Sequence, residues 1–167
     1  MTVSNLNQYE YVGEWSIMGS LNGAIETREY FGWEKWLLNW LKDTQVTCML
    51  TKITNRNYFI NLTPLETNNN LSDIKLAVVK FSETLALAIE SRHLNRSDSN
   101  IGLVVYLVDT LVSTGHGGIR VLDAGMGKDK MKSILTSPGQ MLTFMETVTV
   151  KYVYKHFDTI SLEALIK

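Results

Sequence analysis

Polar and apolar positions alternate early in the chain. Tyr9, Tyr11, Trp15 and Ile17 interleave with Glu10, Glu14 and Ser16, the two-residue period of a half-buried strand. The alternation breaks over Gly19–Gly23 and resumes at Ala24–Arg28, as a hairpin or a bent strand would. From Tyr30 to Lys42 the period changes. Trp33, Trp36, Leu37, Trp40 and Leu41 recur at three and four residues, with Glu34, Lys35, Asn39 and Lys42 largely opposite. That spacing predicts an amphipathic helix, the strongest helical pattern in the chain.

Further on, strand patterns dominate. Val46–Thr54 predicts a strand with Val46, Cys48 and Leu50 on one side, and Asn55-Arg56-Asn57 predicts a turn into a second strand, Tyr58–Leu62, making a hairpin. The Asn-rich stretch Pro64–Asp73 predicts an exposed loop. Ile74–His93 predicts two strands, although Ala86 and Ala88 also suit a helix, and Ile101–Val112 predicts a buried strand rich in branched residues. Asn95–Asn100 predicts a polar loop between them. Ile119–Leu122 predicts a short strand, and Lys128–Leu135 a short helix stopped by Ser137-Pro138-Gly139. From Gln140 onward Leu142, Phe144, Val148, Val150, Tyr152 and Tyr154 share one parity over more than an ordinary strand length, which predicts a bend. Ser161 is a candidate cap for a last short helix ending at Lys167.

Strands that follow one another without regularly alternating helices predict an α+β fold. The expected architecture is a mostly antiparallel sheet with the Trp-rich amphipathic helix and one or two short helices packed on it. The 167 residues fit a single domain, 1–167, with residues 1–8 flexible. A 45% hydrophobic content supports a sizeable core.

Charge adds one feature. The net charge of −1 excludes a strongly basic nucleic-acid binder acting through total charge. Residues 1–50 carry six acids against three bases, and residues 120–167 carry seven bases against five acids. This polarity favours head-to-tail association, because opposite patches steer encounter; a solvated surface with uneven charge statistics is the plainer reading. The single cysteine, Cys48, forms no internal disulfide and reads as a buried small hydrophobe rather than a nucleophile. No window approaches the run of about 18 apolar residues that a spanning helix requires.

Candidate chemistry is sparse. Val121-Leu122-Asp123-Ala124-Gly125-Met126-Gly127 resembles the first strand-to-turn signature of Rossmann-like methyltransferases, but too little chain follows to complete an alternating sheet. A glycine-rich turn is the simpler reading, and no cofactor and no metal are expected. Gly115-His116-Gly117-Gly118 lacks the further ligands a metal site needs and reads as a turn. No phosphate-binding loop, paired-cysteine zinc motif or nucleophile elbow occurs. Non-enzymatic action and no small-molecule substrate are therefore expected.

Two groups remain as interaction candidates. Lys128, Lys130 and Lys132 suit anionic lipid or phosphate contact, against the plain reading of a solvated helix start. Trp33, Trp36 and Trp40 form a face that a helix on a sheet needs to bury, or else a surface for self-association or a partner, with Glu10 and Glu14 as acidic self-association candidates.

The order of elements over residues 9–65 resembles the matrix proteins of rhabdoviruses. The strand Tyr9-Glu10-Tyr11-Val12-Gly13-Glu14-Trp15-Ser16-Ile17-Met18 leads to Tyr30-Phe31-Gly32-Trp33-Glu34-Lys35-Trp36-Leu37-Leu38-Asn39-Trp40, and then to Val46–Ile53. The late strand Thr143–Phe157 followed by a terminal helix is similar too, and the small size is most like the short matrix proteins of plant-infecting members. The resemblance implies a structural viral matrix protein that forms homo-oligomers or polymers, contacts viral nucleoprotein–RNA and condenses the nucleocapsid. It also implies peripheral contact with an anionic membrane during assembly and budding, in the virion, in the host cytoplasm and at the inner face of the envelope. The chain lacks the long basic N-terminal arm of animal-virus members and a Pro-Pro-x-Tyr budding motif, which removes the usual basis for arm-mediated membrane binding and host recruitment. Two alternatives remain open: a small adaptor that binds a protein through the aromatic helix face, and an S-adenosylmethionine-binding enzyme using Asp123–Gly127.

Overall fold

In the computed structural model, residues 15–17, 29–51, 56–67, 70–93, 101–113, 116–122, 134–157 and 159–167 are described. Of these, 56% lie in strands and 8% in helices, none of seven residues or more. The described part of the chain is therefore mostly β-strand in two sheets, and the expected α+β architecture with a Trp-rich amphipathic helix packed on one sheet is wrong.

The strands are β1 (Val46–Leu50), β2 (Arg56–Leu62), β3 (Leu76–Lys80), β4 (Leu85–His93), β5 (Ile101–Asp109), β6 (Ile119–Val121), β7 (Ile134–Leu135), β8 (Met141–Phe144), β9 (Val148–His156) and β10 (Thr159–Ile166). They form two sheets. One has the order β1-β3-β4-β5-β6, with β7 also on β5; the other runs β2-β10-β9-β8. Every pairing is antiparallel except β1 with β3. The expected β1–β2 hairpin does not form: β1 joins one sheet and β2 the other. Of the expected turn Asn55-Arg56-Asn57, Asn55 lies outside the described residues with 52–54, and Arg56 and Asn57 already belong to β2.

The sheets stack face to face around a core that includes Met49, Leu62, Leu87, Ile89, Leu103, Val105, Val150, Leu162 and Ile166. An edge-on contact between Phe81 and Phe144 (ring centroids 5.5 Å) crosses between the sheets. A second cluster covers the other face of the larger sheet: Leu76, Val78, Ala88, Val104 and Tyr106 against Trp15, Phe31, Leu41 and Leu65. Strands β3, β4 and β5 are thus sandwiched on both sides. This is why their sequences read as nearly continuous apolar runs rather than alternation.

The helix is short for a local reason. α1 (Gly32–Leu37) ends where Asn39 takes a left-handed φ of 60°. The Asn39 N–H bonds the Trp36 carbonyl and the Trp40 N–H reaches back to the Lys35 carbonyl (2.8 Å), closing the helix with the 5→2 and 6→1 bonds of a left-handed cap. The periodic apolar residues beyond Leu37 continue as irregular chain. The predicted terminal helix is β10 instead: Ile160, Leu162, Ala164 and Ile166 are buried at a spacing of two against the sandwich core. Residues 128–133 of the other predicted short helix lie outside the described residues, and Ile134–Leu135 is strand β7. The predicted bend after Gln140 is a tight turn: Met145 (φ 50°), Glu146 (φ 57°) and Thr147 join β8 to β9, and the Thr147 N–H donates to the Phe144 carbonyl (3.1 Å). The Pro64–Asp73 stretch is not simply an exposed loop, since Pro64 and Leu65 are buried.

Candidate functional site

The described tryptophans fall on the cover over the larger sheet, and they divide between its two sides. Trp33 and Trp36 pack against the second core cluster, with rings edge-on to each other at 5.6 Å, and the Trp36 Nε1–H donates to Asp43 Oδ1 (2.8 Å). Trp40 is 54% exposed and meets Tyr30 edge-on in a ring contact, beside exposed Leu38 and Leu37, the last at 67%. The single tryptophan face expected from the spacing is therefore split: two rings face the core and one faces solvent. Glu10, Glu14, Lys128, Lys130 and Lys132 lie outside the described residues, as does Asp123–Gly127.

Beneath this cover lies a charged network that sequence reading did not single out. Glu90 on β4 is fully buried. Its Oε2 accepts the Gly32 N–H (2.7 Å) and the Tyr106 hydroxyl (2.8 Å), while its Oε1 accepts Arg92 Nη1 (3.0 Å). Arg92 also donates through Nε to Glu66 Oε1 (2.5 Å) and through Nη1 to the Trp15 carbonyl (3.1 Å). Glu66 accepts the His93 N–H on its other oxygen (3.1 Å), and the Trp33 N–H donates to the Tyr106 hydroxyl oxygen (3.1 Å). The network ties three separate segments to β4 and β5: the chain at Trp15, the start of α1, and the turn at Glu66. Strand parity places it, because Glu90 and Arg92 follow Ala86 and Ala88 on the cover side of β4.

Glycine at position 32 is what lets the backbone come this close. A Cβ there would sit 2.9 Å from Glu90 Oε2 and 3.2 Å from the nearest carbon of Leu65. Lys75 makes a neighbouring clamp. With no accessible surface, its Nζ donates to the Pro64 carbonyl (2.8 Å) and Thr67 Oγ1 (2.6 Å), fastening the same turn from below.

Burial sets the protonation of these groups. It pushes the Glu90 carboxyl above its ordinary range, opposed by Arg92, the Gly32 N–H and Tyr106. It also pushes Tyr106 well above the usual phenol range, reinforced by Glu90, and lowers Lys75, opposed by Asp73 and Glu66. A perturbed buried acid is a signature of catalytic sites. Here both Glu90 oxygens are occupied by protein donors and neither reaches the surface, whereas a general acid or base must touch a proton on a substrate. The arrangement acts as a clamp.

Other candidates resolve simply. Cys48 is exposed rather than buried, because the cover extends over Val46 but not along the rest of β1, where Met49 is the residue that enters the core. Partial burial and the Asp43 carboxylate push its thiol upward, away from the thiolate form, against a lowering by Lys80. Strand β6, which leads to Asp123, runs antiparallel to β5, not parallel as a dinucleotide-type turn requires. Among the described residues no three His, Cys, Asp or Glu side chains are grouped as metal ligands, and no helix is long and apolar enough to cross a membrane.

Comparison with family models, curated proteins and solved structures gives no match.

Proposed function

We propose that this chain is a structural viral protein of the matrix kind, one that works by touching copies of itself, a ribonucleoprotein and the inner face of an envelope during assembly and budding. Two elements of the resemblance to rhabdovirus matrix proteins, the long amphipathic helix and the terminal helix, are replaced by a six-residue helix and a strand. The proposal therefore leans on surfaces rather than on element order.

The observation that carries it is the group Leu37, Leu38 and Trp40, large apolar side chains held in solvent at the end of a helix that is itself pinned to the core. Clustered exposed apolar residues on a well-packed domain mark contact sites. Weak contacts of this kind become strong when many copies are arrayed. The excess of acid in residues 1–50 and of base in residues 120–167 supplies charge complementarity between neighbours.

Sedimentation velocity of the full chain across concentration and salt tests this. Concentration-dependent assemblies that shrink when Leu37→Ser and Trp40→Ser are introduced together support it. In the same preparation, Lys128→Glu, Lys130→Glu and Lys132→Glu combined should reduce pelleting with phosphatidylserine vesicles. A monodisperse monomer at every concentration overturns the reading and favours a small adaptor that binds another protein through Trp40 and its neighbours.

A further inference from the structure

The outer face of the smaller sheet carries a row of side chains that complements itself. Strand pairing places Phe59 opposite Glu163, Glu163 opposite Lys151, and Lys151 opposite Met141. On each strand the neighbouring residues, Ile60, Leu162, Val150 and Leu142, point into the sandwich core, so these four point outward. Phe59 is 72% exposed and Met141 55%, and Glu163 and Lys151 are half-buried between them. Read across the sheet from edge to edge, the row is apolar, negative, positive, apolar.

We propose that a second copy of this chain docks face to face on this sheet about a two-fold axis running along the strands between β9 and β10. Such an axis inverts the strand order of one copy over the other. Lys151 of the copy then lies over Glu163, and Met141 of the copy over Phe59; each contact occurs twice, as an isologous interface requires. The alternative axis, across the strands, stacks Glu163 on Glu163 and Lys151 on Lys151, and like charges there are repelled. The adjoining row fits the same operation. Asn57, Leu165, Thr149 and Thr143 follow one another across the sheet, so Asn57 meets Thr143 and Leu165 meets Thr149 of the copy. Sheets aligned in this way pack at ordinary sandwich geometry.

Strand spacings of about 4.8 Å and a rise of about 3.3 Å per residue make this face roughly 300–400 Å² per partner. That lies below the roughly 800 Å² per partner of a stable standard interface. The contact is weak alone and gains strength from repetition, as the proposed self-association requires, and this inference rests on that reading. An isologous sheet contact and a separate head-to-tail contact together extend an array where either alone gives a pair or a single file.

Charge reversal tests it, read by sedimentation equilibrium. Lys151→Glu alone and Glu163→Lys alone should each weaken self-association about tenfold or more, because each places like charges against each other twice. Mixing the two variants in equal amounts should restore association, since every reversed charge then meets its opposite on the other chain. The double variant K151E/E163K should also associate with itself. Each single reversal also sets like charges opposite each other within its own sheet, so its thermal melt should fall only a few degrees below the wild type while remaining cooperative, which shows that the fold is intact. Association that persists unchanged in both single variants overturns this face while leaving the proposed function standing. A wild type that never associates removes that function as well. Binding of a single-stranded oligouridine that K151E abolishes, with self-association unmoved, also overturns the inference and assigns the face to nucleic acid.

Discussion

At the residue scale, one glycine sets how the cover meets the sheet. The Gly32 N–H sits 2.7 Å from Glu90 Oε2, and a methyl group there would press on that carboxylate and on the side chains of Leu65 and Leu76. None of the three is the free end of a flexible surface chain; all are held in the second core. Gly32→Ala should therefore lower stability by about 1–3 kcal/mol, the usual cost of overpacking a closed site, despite the better helix propensity of alanine. Urea unfolding with an unchanged slope checks this, and a gain in stability would show that the cover yields easily. Position 32 was legible in the sequence only as part of a helix. Its real constraint comes from Glu90, 58 residues away, which no local pattern announces. The same holds for Arg92 and Glu66. As sequence they look like charges near the end of a strand and in a polar loop. In the fold they are partners because the turn at 64–67 is drawn down onto β4, where the Leu65 N–H bonds the Ser91 carbonyl.

At the element scale, periodicity was reliable where a segment has one buried face and misleading where local backbone geometry intervenes. The late alternation of Leu142, Phe144, Val148, Val150 and Tyr152 is real: all five enter the sandwich core, and the same parity holds on both sides of the turn. Between Tyr30 and Lys42 the three-and-four spacing is genuine too, but Asn39 cuts it after six helical residues. Asparagine past a helix end is a recognised stop signal, and the tryptophan spacing masked it. In Ser161–Lys167 a plausible cap outweighed an alternation that β10 obeys. The β8–β9 turn itself uses two left-handed residues, Met145 and Glu146, where Asn and Gly are preferred because side chains crowd that backbone region. Replacing them by Met145→Asn and Glu146→Gly should raise stability by about 1 kcal/mol, visible as a melting temperature a few degrees higher. No change would mean that exposed Met145 gains compensating contacts in the native state.

At the scale of the whole molecule, the fold is three layers, and what identifies the middle one is the loss of alternation. Strands β3, β4 and β5 face apolar groups on both sides, so their sequences carry strand composition without strand rhythm. The strands themselves were readable from their branched residues; the existence of two cores was not, because continuous apolar runs do not say what lies on either side. The charged clamp joins the cover to this middle layer, and its central acid makes the joint depend on pH. Burial raises the native Glu90 carboxyl above its ordinary value of 4.5, with Arg92, the Gly32 N–H and Tyr106 acting in the opposite direction. The native state therefore holds this proton to higher pH than the unfolded chain does. Its contribution to stability is fully present below 4.5 and is lost as pH rises through the raised native value. Glu90→Gln keeps nearly the same shape without the titration. Urea midpoints of the two proteins, measured in steps from about pH 4 to about pH 8, should show any advantage of the wild type over the variant to be greatest at the acidic end and to shrink as pH rises. Groups elsewhere titrate alike in both proteins and cancel in the difference. The opposite trend, an advantage that grows with pH, would mean that the Arg92 guanidinium and the two neutral donors outweigh burial, so that the carboxylate is held below its ordinary value and the clamp is strongest when charged.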